Sequence, residues 1–181
     1  MTRFTFTHGD VDESLSIMRE AAQWLIDTGK PLWSVESLTR ETINCPPEDY
    51  IVMHDAHGTG VATLLLCEAG KLDLQFWADL FDSNAGYIHK IAVRRAYAGR
   101  SLIRPLMNYA IAECKTKGIT SLRLDCANRE ALCQVYKSLG FTLRETKDVS
   151  WGDLKFNVAL FEMAISTHSD GVPNNRPPTI M

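Results

Sequence analysis

Residues 87–104 combine a predicted strand, a turn that contains Gly99 and the start of a predicted helix. The first amides of a helix have no partner inside it, and together with the positive end of the helix dipole they bind phosphate groups. Further positive charge beside the turn comes from Arg94, Arg95, Arg100 and Arg104. The segment therefore predicts a phosphate-binding turn, although the same pattern serves only packing in many α/β proteins.

Two other groups of reactive side chains indicate neither a thiol protease nor a metal site. Cys126 and Cys133 flank the start of a predicted helix, but the acid and base partners of a thiol protease cannot be identified. We expect both to be small core residues. His54 and His57 span a turn and lack further ligands at metal spacing, so the sequence predicts no metal site.

Charge is unevenly distributed along the chain. Residues 1–85 hold 14 acidic and 5 basic side chains, a formal charge of −9, whereas residues 86–181 hold 8 and 14, a formal charge of +6. A phosphate-bearing cofactor would account for the basic half, and solvated helix faces would account for it equally well. No run rich in lysine and arginine occurs, so nucleic acid is not an expected partner.

The composition is typical of a single globular domain of 181 residues. No apolar run reaches the ~18 residues of a membrane span, and the N-terminus lacks the apolar region of a signal peptide. Five cysteines, an odd number without a C-x-x-C pair, fit reduced thiols. We expect a cytoplasmic protein that does not contact a membrane.

Apolar periodicity predicts the elements that position these residues. Predicted strands cover residues 3–7, 50–54, 60–67, 87–93, 120–125, 141–146 and 155–165, and predicted helices cover residues 11–28, 35–43, 102–117 and 129–139. Asp10 and Gly29 bound the first helix, and Asn128 is expected to cap the last one. Residues 68–85 predict a loop with at most one helical turn. The order indicates the α/β class, with helices on both faces of a central mixed β-sheet.

Residues 128–141 read Asn-x-x-Ala-x-x-x-x-Tyr-x-x-x-Gly-Phe. This arrangement resembles the second cofactor motif of the GNAT superfamily of N-acetyltransferases, and its spacing from residues 87–104 is similar to that family too. Residues 22–29 are similar to the end of the first helix in one bacterial GNAT group. The resemblance implies a GNAT fold over residues 1–165, followed by an extended or flexible tail over residues 166–181.

The turn around Gly99 departs from the pattern usual in that family, [Gln/Arg]-Gly-x-Gly-x-[Gly/Ala]. Ala98, Ser101 and Ile103 stand where an amide or basic residue, a glycine and another small residue are usual. Main-chain amides survive any substitution except proline, so an anion site can persist. The side chains of Ser101 and Ile103 could nevertheless crowd a pyrophosphate.

Acetyl-CoA is the cofactor that the resemblance implies. Its pantetheine arm would pair with the backbone of the strand before the turn, and its pyrophosphate would bind the amides of the turn. The implied cofactor-binding residues are Ile91, Ala92, Val93, Ala98, Gly99, Arg100, Ser101, Leu102, Ile103, Arg104, Asn128 and Tyr136.

The resemblance also implies direct attack of a neutral amine on the thioester. Tyr136 would protonate the leaving thiolate, with a helix-packing aromatic as the alternative role. His89 shares strand alternation with Tyr87, Ile91 and Val93, so we expect it to face the cleft, where it could deprotonate an incoming ammonium. A partly buried histidine with satisfied hydrogen bonds is the alternative there.

The implied activity is N-acetylation of a primary amine on a small molecule or peptide. In this family the acceptor pocket is bordered by segments that here carry Trp33, Glu36, Trp77, Asp79 and Trp151. With the acidic first half, these residues favour a cationic acceptor. A non-catalytic acyl-CoA-binding regulatory module with the same fold is the alternative, favoured by the altered turn and opposed by the intact Tyr136. Many members of that family form dimers, so the resemblance is compatible with a homodimer.

Overall fold

The computed structural model describes residues 3–80, 82–151 and 154–166. The strands are β1 (Thr5–His8), β2 (Tyr50–His54), β3 (Gly60–Cys67), β4 (Ala85–Val93), β5 (Ser121–Ala127), β6 (Thr142–Trp151) and β7 (Leu154–Ala164). The helices are α1 (Val11–Asp27), α2 (Arg40–Ile43), α3 (Lys71–Phe76), α4 (Ile103–Thr116) and α5 (Glu130–Ser138). The predicted tail lies outside the described residues from residue 167 onward.

In the described part of the chain, seven strands form one sheet in the order β1-β2-β3-β4-β5-β7-β6. The neighbours β4 and β5 are parallel, and every other neighbouring pair is antiparallel. The connection from β4 to β5 contains α4, as a parallel crossover requires. The predicted α/β class with a mixed sheet is confirmed.

Helices cover both faces of the sheet. The adjacent residues Ile51 and Val52 of β2 point to opposite faces and belong to different hydrophobic clusters. On the face of Val52, α1 buries Met18 completely, and on the face of Ile51, α4 buries Leu106 completely. Removing one such side chain from water stabilises the fold by about 1.5–3 kcal/mol.

Helix α1 forms as its sequence predicts. The side chain of Asp10 accepts a hydrogen bond from the amide of Glu13 at 3.3 Å, which caps the helix. Gly29 follows the last turn with a φ of 71°, in the left-handed region that ends many helices. Neither α1 nor any other helix among the described residues is both long and apolar enough to cross a membrane.

Two predicted segments differ from the structure. The predicted helix over residues 35–43 is only the short α2, because the chain before it forms turns. The predicted loop over residues 68–85 contains α3 and a 3-10 turn at Ala78–Leu80. Asp73 stabilises the start of α3, since its carboxylate accepts a hydrogen bond from the amide of Gly70 at 2.9 Å.

A β-bulge at Lys90 overturns the predicted alternation along β4. Lys90 has a φ of 52°, and β4 advances three residues, from His89 to Ala92, while β3 advances two. Because of the extra residue, the side chains of β4 after the bulge point to the opposite face from the one that strict alternation predicts. Ile91 and Val93 consequently pack in the cluster that contains Ile88, whereas His89 keeps the opposite orientation. The expectation that His89 shares a face with Ile91 and Val93 is therefore wrong.

Candidate active site

The sheet splits between β4 and β5. The two strands pair from Ala85 with Ser121 to Ile88 with Leu124, and their register ends there. Beyond that point β5 continues to pair with β7, and β4 continues to pair with β3. Two strand edges without a strand partner in the described residues therefore face each other across a gap. Such an edge can hydrogen-bond to an extended ligand along its backbone.

His89 and Asp125 lie at the first register position of this gap. Each follows directly on the last paired residues, and a ring nitrogen of His89, a carboxylate oxygen of Asp125 and one of Asp73 lie within 4.8 Å of one another. The closest contact joins His89 Nε2 to Asp73 Oδ2 at 3.2 Å. The side chain of His89 is 26% exposed and that of Asp73 is 4% exposed. A ligand can therefore reach the imidazole, whereas the buried carboxylate of Asp73 contacts it from the protein interior.

The three groups change one another's protonation. Burial opposes a charge on His89, but contact with Asp73 and the charge of Asp125 outweigh it and raise the pKa of the imidazole above its ordinary value. Burial raises the pKa of the Asp125 carboxyl, against the opposing charges of His89 and Lys90. Perturbed titrating groups in a cleft are typical of functional sites.

Aromatic and basic side chains border this cluster. The ammonium of Lys90 lies 5.0 Å from the ring centre of Trp33, and burial lowers the pKa of Lys90. Arg129 donates hydrogen bonds to the carbonyls of Lys30 and Pro31 at 3.3 and 3.1 Å. These bonds hold the segment that carries Trp33 against the start of α5.

The other residues predicted to border an acceptor pocket make no contact with His89 or Tyr136 that the described side chains show. Trp77 is completely buried beneath Arg123, whose guanidinium carbon is 4.5 Å from the ring centre, so Trp77 is a core residue. Glu36 is exposed, and the side chain of Asp79 is 88% exposed with Lys147 at 3.7 Å. The side chain of Trp151 lies outside the described ones.

Tyr136 approaches the gap from the opposite face to His89. Its ring packs against Phe141 and Phe161, with centroid distances of 6.2 and 5.7 Å. Burial, and after it the charges of Cys126 and Asp125, raise the pKa of the phenol. Tyr136 packs against the same hydrophobic cluster as Cys126 of β5, the residue after Asp125. Its hydroxyl donates to no acceptor in the described part of the chain and is not sealed from solvent.

Asn128 does not cap α5 as the sequence predicts. The cap position is Arg129, which makes no side-chain cap hydrogen bond. The amide group of Asn128 donates to Asn157 Oδ1 at 2.6 Å and accepts from the thiol of Cys133 at 3.6 Å. The reason for the difference is that β5 and β7 still pair next to Asn128, whose own amide donates to the Asn157 carbonyl at 3.0 Å. Asn128 therefore lies at the gap end of β5.

The turn between β4 and α4 offers free backbone donors. Gly99 and Ser101 both adopt left-handed conformations, with φ of 76° and 58°. Four amides donate to no acceptor in the described residues, namely those of Gly99, Ser101, Leu102 and Ile103. Ala98, Arg100 and Arg104 are exposed, Ile103 is half-buried, and Leu102 is buried in the core. The backbone can therefore bind an anion although the glycine pattern is altered.

Only two of the four arginines predicted beside the turn lie there. Arg94 points to α1, where it binds Glu13 and Glu20 at 2.8 Å each. Arg95 stacks on Trp24, with its guanidinium carbon 3.6 Å from the ring centre. The prediction for these two is wrong, because the acidic face of α1 and the exposed ring of Trp24 attract both side chains.

Arg100 and Arg104 remain beside the turn. Arg100 lies over the ring of Tyr97 at 5.0 Å. Arg104 donates to the carbonyl of Ser138 at 2.9 Å, which joins the start of α4 to the end of α5. Both guanidinium groups are at the surface and can contact phosphate.

Asp73 and Asp125 were not predicted as site residues. Asp73 lies three residues after Gly70 in a segment predicted as a loop, and Asp125 ends a predicted strand. The alternation of Arg123 and Asp125 with the buried Leu122 and Leu124 was the available signal, since it directs both polar side chains to one face.

The chain is similar to known acetyltransferases. The family model described as Acetyltransferase (GNAT) family matches residues 18–141. The uncharacterized N-acetyltransferase YesJ of Bacillus subtilis (strain 168) is 25% identical over 137 residues, which are 73% of this chain and 76% of that protein.

Solved structures share the fold. A GNAT-family acetyltransferase from Listeria monocytogenes 4b F2365 has a TM-score of 0.72 at 22% identity, covering 89% of this chain and 94% of that one. A putative acetyltransferase from Salmonella typhimurium, solved with its cofactor acetyl-CoA, has a TM-score of 0.59 at 15% identity, covering 92% and 96%.

Proposed function

From the premise that the chain belongs to the acetyltransferase (GNAT) family, and is therefore an acetyl-CoA-dependent acyltransferase, we propose that it acetylates a primary amine by direct attack in the gap between β4 and β5. The observation that carries this proposal is the position of two proton-transfer groups on opposite faces of one gap. His89 lies on the face of α3, and Tyr136 lies on the face of α5.

The residues beside the gap fit the cofactor. The backbone of Ile91, Ala92 and Val93 offers a strand edge to a pantetheine arm, and Asn128 lies across from it. The free amides of residues 99–103, with Arg100 and Arg104, suit a pyrophosphate. Bound acetyl-CoA supplies an acetyl group activated as a thioester.

Protons move through two side chains. His89 accepts a proton from the acceptor ammonium, which frees the nitrogen lone pair to form the new C–N bond. Tyr136 donates its phenolic proton to the sulfur as the C–S bond breaks. The acylated nitrogen loses its second proton to solvent, solvent reprotonates the phenolate, and His89 releases its proton to solvent. The raised pKa keeps the phenol protonated at neutral pH, so the donor is present in every turnover.

The acceptor is a cationic amine in this proposal. Asp73 and Asp125 place two carboxylates beside His89, and Trp33 adds an aromatic face that can contact a cation. An amine that carries a second positive charge gains an attraction to Asp125 that a neutral acceptor lacks. A small molecule or a peptide terminus can present such an amine.

Release of free CoA thiol over an amine panel tests this function. The panel contains a diamine, a neutral amino-acid amide, a short peptide with a free amino terminus and an acidic amino acid, and titration calorimetry measures acetyl-CoA binding separately. We expect the highest kcat/KM for the diamine and a loss of about 10-fold for it in Asp125→Asn. Asp79→Asn is the matched control, because that exposed carboxylate contacts Lys147 rather than His89.

A non-catalytic acyl-CoA-binding module is the second candidate, favoured by Ser101 and Ile103 in the turn. Tight binding of acetyl-CoA without thiol release above the rate measured in the absence of acceptor would establish that candidate instead.

A further inference from the structure

A second polar cluster lies where three segments converge at the end of β3 that pairs with Tyr87 of β4. Cys45 follows α2, Asp49 ends the 3-10 turn at Pro47–Asp49, and Cys67 is the last residue of β3. The two sulfur atoms are 3.5 Å apart, and both lie within 4.8 Å of a carboxylate oxygen of Asp49. All three residues are half-buried. Two thiols and a carboxylate at this spacing form a set of metal ligands.

The sulfur separation fits a shared metal ion. Two thiolates that each lie about 2.3 Å from a tetrahedral zinc ion are about 3.8 Å apart. A disulfide requires about 2.05 Å and a specific dihedral angle. The separation of 3.5 Å between Cys45 and Cys67 is close to the first value and far from the second.

Tyr50 supplies an independent observation that points to a ligand. Its side chain is 1% exposed, and its hydroxyl has no hydrogen-bond partner among the described residues. It belongs to the hydrophobic cluster against which Cys45 and Cys67 also pack. A buried hydroxyl without a hydrogen-bond partner destabilises the fold, and a polar ligand at this place would satisfy it.

We propose that Cys45, Asp49 and Cys67 bind a thiophilic divalent cation of the Zn²⁺ class. Binding forms two metal–sulfur bonds and one metal–oxygen bond, and the two thiols release their protons to solvent. A water molecule completes the tetrahedron and hydrogen-bonds to the hydroxyl of Tyr50. The ion joins the segment before β2 to the end of β3, so it braces the sheet beside β4. Metal binding at this cluster can be measured without acetyl transfer.

Cobalt(II) titration of the metal-free, phosphine-reduced protein tests the site. We expect saturation at equimolar Co²⁺, with a thiolate-to-cobalt charge-transfer band and the visible bands of tetrahedral cobalt, both abolished by added Zn²⁺. Cys45→Ser and Cys67→Ser lose the charge-transfer band, whereas the control Cys126→Ser, a half-buried thiol on the opposite face, retains it. Tyr50→Phe weakens Co²⁺ binding about 10-fold, as loss of a partner of a metal-bound ligand does.

Alkylation of the wild-type chain covers the case in which a variant fails to fold. Zn²⁺ is expected to slow iodoacetamide labelling of Cys45 and Cys67 but not of Cys126. Bands that persist in either serine variant, absence of equimolar binding, or equal labelling with and without Zn²⁺ would each overturn the proposal. A Cys45–Cys67 disulfide with no cobalt binding after its reduction would overturn it too and would identify a redox pair.

Discussion

The Nε2 atom of His89 lies 3.2 Å from a carboxylate oxygen of Asp73, the more deeply buried member of the pair. Asp73 is itself held by the amide of Gly70 at the start of α3. The orientation of the imidazole therefore depends on α3, the helix that precedes β4. This pair connects the fold to the chemistry proposed in the gap.

Asp73→Asn is expected to move the acid limb of the pH–rate profile to lower pH. In the wild type the carboxylate contributes to raising the pKa of His89, so the base loses its proton only at a higher pH than an ordinary histidine would. The amide oxygen of asparagine can still accept from Gly70, so α3 stays capped. We expect kcat/KM at the plateau to fall about 10-fold because the imidazole is less well oriented.

The pH dependence of kcat/KM, measured with a fixed acceptor, checks the Asp73 variant. Asp79→Asn should leave the profile unchanged, because Asp79 contacts Lys147 rather than His89. An acid limb at the same pH in wild type and Asp73→Asn would show that His89 does not control the rate.

Tyr136→Phe is expected to lower kcat about 100-fold while acetyl-CoA affinity stays almost unchanged. The ring contacts with Phe141 and Phe161 remain, and the missing hydroxyl had no partner in the described part of the chain. Thiol release and calorimetric binding measure the two quantities separately. An equal loss in both would show that Tyr136 acts in binding or packing.

Gly99→Ala and Ser101→Gly should have opposite effects on stability. A residue with a Cβ atom destabilises the folded state by about 1–2 kcal/mol when it adopts the left-handed conformation. Part of this cost is offset because such a residue has less conformational entropy in the unfolded chain than glycine has. Nothing lies within 4 Å of a Cβ added at Gly99, so backbone conformation alone decides its effect. We expect about 1 kcal/mol less stability for Gly99→Ala and about as much more for Ser101→Gly in urea unfolding. Destabilisation by Ser101→Gly would contradict the conformation of this turn.

Loss of the Arg94 side chain in Arg94→Ala should lower stability, whereas loss of the Arg104 side chain in Arg104→Ala should lower the affinity for CoA. Arg94 binds two partly exposed carboxylates of α1, so its loss is expected to reduce the free energy of unfolding by about 1–3 kcal/mol and leave CoA affinity unchanged. Arg104 lies beside the turn, and its loss is expected to weaken CoA binding about 10-fold. Calorimetric CoA titration and thermal unfolding check both variants, and the reverse pattern would place the phosphate site near α1.

Local sequence signals predicted most of the fold. The bounds of β2 and β3 agree with the prediction because apolar runs and the turn at residues 55–59 determine both ends. Helix α1 agrees within a residue because Asp10 and Gly29 mark its ends. Helix α3 was missed because much of the cluster in which it is buried comes from β6 and β7, which are distant in sequence.

The site was less predictable than the fold. The bulge at Lys90 leaves no composition signal, and a single extra residue reverses every later side chain of β4. The directions of Arg94 and Arg95 depend on the acidic and aromatic side chains of α1, which only the tertiary structure brings near. The motif at residues 128–141 correctly indicated the family, because its spacing reflects a whole strand-to-helix unit.

A crystal structure of the chain with bound acetyl-CoA is the sharpest test of acetyl transfer between His89 and Tyr136. We predict that the thioester lies between Ile91–Val93 of β4 and Asp125–Ala127 of β5, with its sulfur within about 3.5 Å of the Tyr136 hydroxyl. His89 would then lie on the other face of the acetyl group. Acetyl transfer in this gap would be contradicted by a sulfur atom that lies outside it. It would also be contradicted by a phenol that turns toward the core while Ile103 fills the groove.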